Sequence, residues 1–83
     1  MKVMICDYER KHTETINSAL LSRGVIKEFS DFDFIDGARS IEMSMDDMFN
    51  VARSIVESKL NIMIYRRDVG YMLAIDSKHF QQR

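Results

Sequence analysis

The dipeptide Asp36-Gly37 lies between two stretches in which apolar and polar residues alternate, DFDFI before it and ARSIEM after it. Asp-Gly favours two-residue hairpin turns, because both turn positions need a positive φ angle. A turn there places Asp31 opposite Glu42. Since side chains of a strand alternate between faces, one face of the pair becomes apolar and the other acidic. The sequence therefore predicts an antiparallel strand pair around residues 36 and 37.

The remaining segments predict two helices and three strands. KVMIC is a short apolar run that ends at Asp7, which is typical of a buried strand. Apolar residues recur at helical spacing from Tyr8 to Gly24, with Asp7 as the helix cap. Ser44 begins a second helix, because Asp47 follows it at the spacing of a capping box. NIMIY and YMLAID are strands joined through RRDVG.

The predicted order is strand, helix, strand, strand, helix, strand, strand. Without the last strand this is the split βαβ arrangement of ferredoxin-like folds, β-α-β-β-α-β. We expect an α+β protein with both helices on one face of a mainly antiparallel sheet, and an additional C-terminal strand at the edge beside the fourth. Residues 1–83 are too few for two hydrophobic cores, so a single domain with a tail at 77–83 is expected.

Charge is unevenly distributed along the chain. Residues 27–47 hold seven acidic and two basic residues, a balance of minus five, although the whole chain has a net charge of −1. Like charges that face each other across a strand pair weaken the sheet, which suggests that a partner compensates for them. An acidic face attracts a basic protein surface. The predicted partner-binding residues are Asp31, Asp33, Asp36 and Glu42.

Nucleic-acid binding is an alternative function for a small sheet of this topology. Such sheets stack bases on aromatic residues of the face that points away from the helices. The acidic residues would repel phosphates on the middle strands, and the sequence contains no basic stripe. A smaller site at the other edge would consist of Arg66, Arg67 and Tyr71, with Tyr65 as a further aromatic residue.

A nuclease is the second alternative. An acidic residue at the end of the first strand of a ferredoxin-like fold resembles the small CRISPR-adaptation nucleases and related toxin ribonucleases. The resemblance implies a homodimer in which paired copies of Asp7 hold a divalent metal for phosphodiester cleavage. The structural role for Asp7 is helix capping. A calcium loop from Asp31 would place Ile35 at a ligand position and Asp36 at the required glycine, so we expect neither a metal site nor a cofactor.

The leading hypothesis is a non-enzymatic binding or regulatory protein that acts by protein–protein interaction. A phage-type inhibitor of a host defence or nucleic-acid-handling protein is one form of this hypothesis. The expected partner is a protein with a basic surface. The apolar, proline-free strand at 69–76 also predicts a homodimer through an exposed edge. Cys6 is the only cysteine and no long apolar run is present, so we expect a cytoplasmic protein without a membrane partner.

Overall fold

A computed structural model describes residues 1–7, 9–28 and 38–75. Its elements are β1 (Lys2–Cys6), α1 (Thr13–Ser22), β2 (Ala38–Glu42), α2 (Met45–Glu57), β3 (Ile62–Arg66) and β4 (Tyr71–Ile75). The two helices pack against a mixed four-stranded sheet, which confirms the predicted α+β class. Within these residues, neither helix has the length and apolar character needed to cross a membrane.

The strands lie in the order β2-β1-β4-β3. β1 is antiparallel to β2, with Lys2 opposite Glu42, and parallel to β4. β3 and β4 form an antiparallel hairpin in which Ile64 lies opposite Leu73. The last strand of the described chain therefore lies beside the first, inside the sheet.

The predicted ferredoxin-like strand order is not confirmed. That order places the strand after α2, which is β3, beside β1 and the last strand, β4, at the edge. In the structure β4 lies beside β1 and β3 lies at the edge. The edge assigned to 69–76 is wrong, because Tyr71–Ile75 is paired on both sides. An interior position suits β4, which is apolar on both faces and uncharged, whereas β3 ends in Arg66. The predicted strand before Gly37 and the tail at 77–83 lie outside the described residues.

The core lies between the sheet and the helices. Its largest fully buried side chains are Ile5, Ile16, Leu20, Met48, Ile55, Leu73 and Ile75, joined by Val3 and Val51. Each such side chain stabilises the fold by roughly 1.5–3 kcal/mol relative to an exposed position. Met63 of the apolar stretch NIMIY is exposed on β3.

The structure confirms the predicted start of α2 but places the start of α1 later than predicted. Ser44 Oγ accepts the backbone N–H of Asp47 at 3.1 Å, so the predicted N-cap of α2 is confirmed. The carboxylate of Asp47 also forms an ion pair with Arg23 at 3.4 Å, which connects the end of α1 to the start of α2. α1 begins at Thr13 and not at Tyr8, which lies outside the described residues.

The hairpin between β3 and β4 requires a glycine. The N–H of Arg67 donates to the carbonyl oxygen of Gly70 at 2.8 Å, which closes a two-residue loop over Asp68 and Val69. Gly70 has a φ of +85°, a conformation that side chains disfavour. A Cβ atom at this position would also overlap the carbonyl oxygen of Lys2. Gly70 therefore permits the close parallel approach of β4 to β1.

We expect Gly70→Ala to destabilise the protein by about 3 kcal/mol or more, since left-handed strain and a backbone overlap act together. Urea unfolding followed by circular dichroism measures this loss. Gly24→Ala is the matched control, because Gly24 has a φ of +74° but open space around it. It should cost only about 1–2 kcal/mol. Equal losses in the two variants would contradict the close approach.

Candidate functional site

The sheet face opposite α1 and α2, here called the open face, is formed by alternate residues of all four strands. Val3 and Leu73 point to the core, so the residues one position along from them point to the opposite side. The described members of the open face are Lys2, Met4, Cys6, Ala38, Ser40, Glu42, Met63, Tyr65, Met72 and Ala74. Cys6 and Ala74 are buried at one end, and the remaining members are half-buried or exposed.

A row of thioether and aromatic side chains crosses the middle of the open face. Met4 pairs with Ser40 on one side and with Met72 on the other, and Met72 pairs in turn with Tyr65. The hydroxyl of Tyr65 donates to the sulfur of Met63 at 3.7 Å. Both methionines of the central strands are half-buried, while Met63 and Tyr65 are exposed. The row forms an apolar, sulfur-rich surface.

Arg67 lies across the same surface. Its Nη1 donates to the sulfur of Met4 at 3.4 Å and to the sulfur of Met72 at 3.7 Å. A cavity of about 520 Å³ adjoins this contact and is lined by Lys2, Met4, Ser40, Arg67, Asp68, Val69 and Tyr71. The guanidinium therefore lies over apolar atoms while it stays exposed, the combination that suits arginine at recognition surfaces.

The charges around the open face are mixed. Glu42 is exposed in β2, lies opposite Lys2, and has its Oε2 3.8 Å from the amino group of Met1. Lys2 and Arg67 face Glu42 and Asp68 across this region, so the described part has no single sign of charge. Of the four predicted acidic partner-binding residues only Glu42 is described. The other three, Asp31, Asp33 and Asp36, lie outside the described residues.

The predicted nucleic-acid site is divided between the two faces. Arg66 and Tyr71 are cross-strand partners on the side of the helices, where half-buried Tyr71 packs against the core. Arg67 contacts methionines of the open face instead. Arg67 and Tyr71 line the same cavity, but Arg66 stays on the helix side, so the three residues do not form one surface. Tyr65, which the sequence also suggested for this site, shares the open face with Arg67.

Asp7 stabilises the turn between β1 and α1. It is fully buried, and its Oδ2 accepts the backbone N–H of His12 at 2.9 Å, while its carbonyl oxygen accepts the N–H of Arg10 at 2.9 Å. Arg10 has a φ of +57°, which prevents a helix from starting earlier. The other carboxylate oxygen has no hydrogen-bond partner among the described residues.

Within those residues, no group of three His, Cys, Asp or Glu could hold a metal ion.

No protein-family model, curated protein or solved structure matches this chain. Its own surface is therefore the basis for an inference about function.

The methionines of the open face left a signal in the sequence. Met4 lies between Val3 and Ile5, and Met72 lies between Tyr71 and Leu73, so both occupy the second position of a period-2 pattern. When every residue of a strand is apolar, the sequence does not show which alternate residues face the core, because either set could be buried. Helices that cover only one side of the sheet leave the second set of residues on the open face.

We expect Asp7→Ala to lower the free energy of unfolding by about 1–3 kcal/mol, because the N–H of His12 loses its buried acceptor. Asp7→Asn keeps an oxygen at the same distance along the side chain and should cost less. Urea unfolding of both variants measures the difference. Glu14→Ala is the control, because it removes an exposed carboxylate from the first turn of α1 and should cost less than about 1 kcal/mol. Wild-type stability in Asp7→Ala would contradict the structural role.

Proposed function

We propose that this chain is a non-enzymatic binding protein and that its open face contacts another protein. The observation that carries the proposal is the row of Met4, Met72 and Tyr65, which no described helix or strand covers. Large apolar side chains on an uncovered sheet face favour association, because burying them removes apolar surface from water.

The side-chain chemistry of the open face supports a protein partner. Methionine, tyrosine and arginine are enriched at protein–protein interfaces relative to the rest of the surface. Thioether side chains are flexible and polarisable, so they adapt to the shape of a partner. Arg67 adds a cation that already lies against Met4 and Met72.

The acidic residues are the second part of the proposal. Glu42 lies in β2 on the open face, and Asp31, Asp33 and Asp36, which precede β2 in the sequence, complete the acidic contact that we propose. A partner with a basic surface would approach this end, while the methionines supply apolar contact. We propose that the chain regulates its partner by covering part of the partner's surface, in the manner of a phage-type inhibitor of a host defence or nucleic-acid-handling protein. Cys6 is the single cysteine of the sequence, in keeping with the cytoplasmic setting that we propose.

Replacement of Met4 and Met72 by glutamine tests the open face. Glutamine keeps the length of the side chain but adds polar atoms, so we expect capture of an open-face partner to fall by at least about tenfold, or 1.4 kcal/mol. Tagged wild-type and variant chains are compared by affinity capture and quantitative mass spectrometry. Glu42→Lys tests the acidic end separately.

Leu21→Gln is the matched control for this experiment, because Leu21 is an exposed apolar residue on α1, away from the open face. Circular dichroism establishes that all variants fold. If the double glutamine variant and the Leu21→Gln variant capture the same proteins in the same amounts, the open face is not the binding surface.

Nucleic-acid binding is the second candidate, and one arrangement favours it. Tyr65, Arg67 and Lys2 share the open face, where an aromatic ring could stack on a base and two cations could contact phosphates. Glu42 and Asp68 oppose phosphates on the same surface. We therefore favour the protein partner.

A pair of charge reversals distinguishes the two candidates. If single-stranded nucleic acid binds the open face, Arg67→Glu should abolish a salt-sensitive mobility shift, whereas Arg66→Glu should largely retain it, since Arg66 lies on the opposite side of the sheet. A protein partner predicts no salt-sensitive shift with RNA or single-stranded DNA in the wild-type chain. Loss of the shift in both variants would indicate general electrostatic attraction without an open-face site.

A further inference from the structure

The outer edge of β3 is apolar over most of its length and is not paired with another described strand. β3 is the last strand in the sheet order, and no described residue pairs with its outer side. Its three central residues, Met63, Ile64 and Tyr65, have exposed fractions of 41%, 39% and 38%. Edge strands usually carry lysine, proline or a bulge, because unpaired N–H and C=O groups otherwise recruit another strand. None of these protections occurs from Ile62 to Tyr65, and the single charge of β3, Arg66, lies at its last residue.

The hairpin determines which backbone groups point outward. The N–H of Arg67 donates to Gly70, so the backbone of Arg67 points toward β4. Backbone direction alternates along a strand in an antiparallel pair. The N–H and C=O groups of Ile62, Ile64 and Arg66 therefore point away from β4, into the space beyond the edge.

An apolar flank of α2 lies on the same side as this edge. Met45, Phe49 and Val56 have exposed fractions of 45%, 51% and 50%. Their spacing places them within about 40° of one another around the helix. The opposite flank faces α1, through the ion pair of Asp47 and a groove lined by Ser54. Because α2 contacts β3, the apolar flank lies toward the β3 edge.

We propose that a second copy of this chain binds the β3 edge, with the two β3 strands antiparallel about a two-fold axis at Ile64. Ile64 then pairs with Ile64 of the partner subunit, and Ile62 pairs with the partner's Arg66. Every outward N–H and C=O group of these residues is hydrogen-bonded in this register. Registers centred on residue 63 or 65 leave some of them unpaired. The result is a continuous eight-stranded sheet.

The same two-fold axis brings the apolar side chains together. Ile64 lies on the helix side of the sheet, opposite buried Leu73, so the two copies of Ile64 meet beneath the facing α2 flanks. On the open face, Met63 packs against the partner's Tyr65, a sulfur–aromatic contact. Arg66 faces an isoleucine, so no like charges oppose one another across the axis.

The exposed area fits a dimer. The three β3 residues and three α2 residues together expose on the order of 500 Å² of side chain per copy, taking about 200 Å² for a large side chain. Backbone and rim atoms add to this, against roughly 800 Å² per partner in a standard interface. A foreign strand could satisfy the backbone of β3, but only a second copy brings a matching apolar flank from α2.

The dimer and the proposed function share Tyr65, but the dimer leaves Met4, Met72 and Arg67 uncovered. The Met4 and Met72 variants therefore test the open face, and the Ile64 variants test self-association at the edge, so the two proposals can fail separately.

Solution mass and an interface variant test the dimer. We expect light scattering at tens of micromolar to give about twice the chain mass of 9.8 kDa. Ile64→Lys places two ammonium groups at the axis and should give a monomer, whereas Val69→Lys should remain a dimer. Val69 is the matched control, since it is 70% exposed in the hairpin loop and lies off the interface. A monomeric wild-type chain, or a dimeric and folded Ile64→Lys variant, overturns the proposal.

Engineered cysteines test the register without a destabilising charge. In this register Met63 and the partner's Tyr65 form a non-hydrogen-bonded pair, whose Cα atoms lie about 4.5 Å apart and whose side chains are close enough for a disulfide. A mixture of Met63→Cys and Tyr65→Cys chains should therefore oxidise to a mixed covalent dimer in preference to dimers of either chain alone. Val69→Cys should remain uncrosslinked. Equal crosslinking of Val69→Cys, or no preference for the mixed pair, contradicts the two-fold axis at Ile64.

Discussion

The parallel contact between β1 and β4 is the constraint on which the rest of the structure depends. It brings the two ends of the described chain side by side in the middle of the sheet and lets Val3, Ile5, Leu73 and Ile75 share one core. The contact needs a residue without a side chain at position 70, since the backbone of Lys2 occupies the space of a Cβ there. Once β4 is central, its hairpin partner β3 has to form the edge, and α2 has to cross the sheet from β2 to reach it.

Local patterns in the sequence predicted the elements better than their arrangement. Ser44 and Asp47 indicated the start of α2, and the alternation of Ile41 with Ser40 and Glu42 indicated which side of β2 faces the core. The exchange of β3 and β4 could not be predicted in this way. Both strands are apolar and a tight loop joins them, so either could pair with β1. Their order follows from a contact between Gly70 and Lys2, which are far apart in sequence, and periodicity carries no information about such contacts.

The open face and the apolar flank of α2 could not be identified from the sequence either. Apolar character identifies residues that could be buried, but roughly half of a folded surface is still apolar. Phe49 and Val56 belong to the apolar pattern of α2, yet each is about half exposed because α1 packs against only one flank of that helix. Met4 and Met72 face away from both helices for the corresponding reason on the sheet. Asp7 is a different case, since its position after β1 suggested a helix cap and its carboxylate stabilises the turn that precedes the helix.

Within the described residues, two helices cover one face of the sheet and leave its other face and the outer flank of α2 without a covering element. Small domains bury a smaller share of their surface than large ones, so two helices on a four-stranded sheet leave apolar groups at the places where the layers end. These places differ in chemistry. The β3 edge presents backbone N–H and C=O groups at regular spacing, which favours pairing with another strand. The open face presents flexible thioethers and an arginine at no regular spacing. The edge is therefore suited to a single self-complementary partner, and the open face to a partner of a different shape.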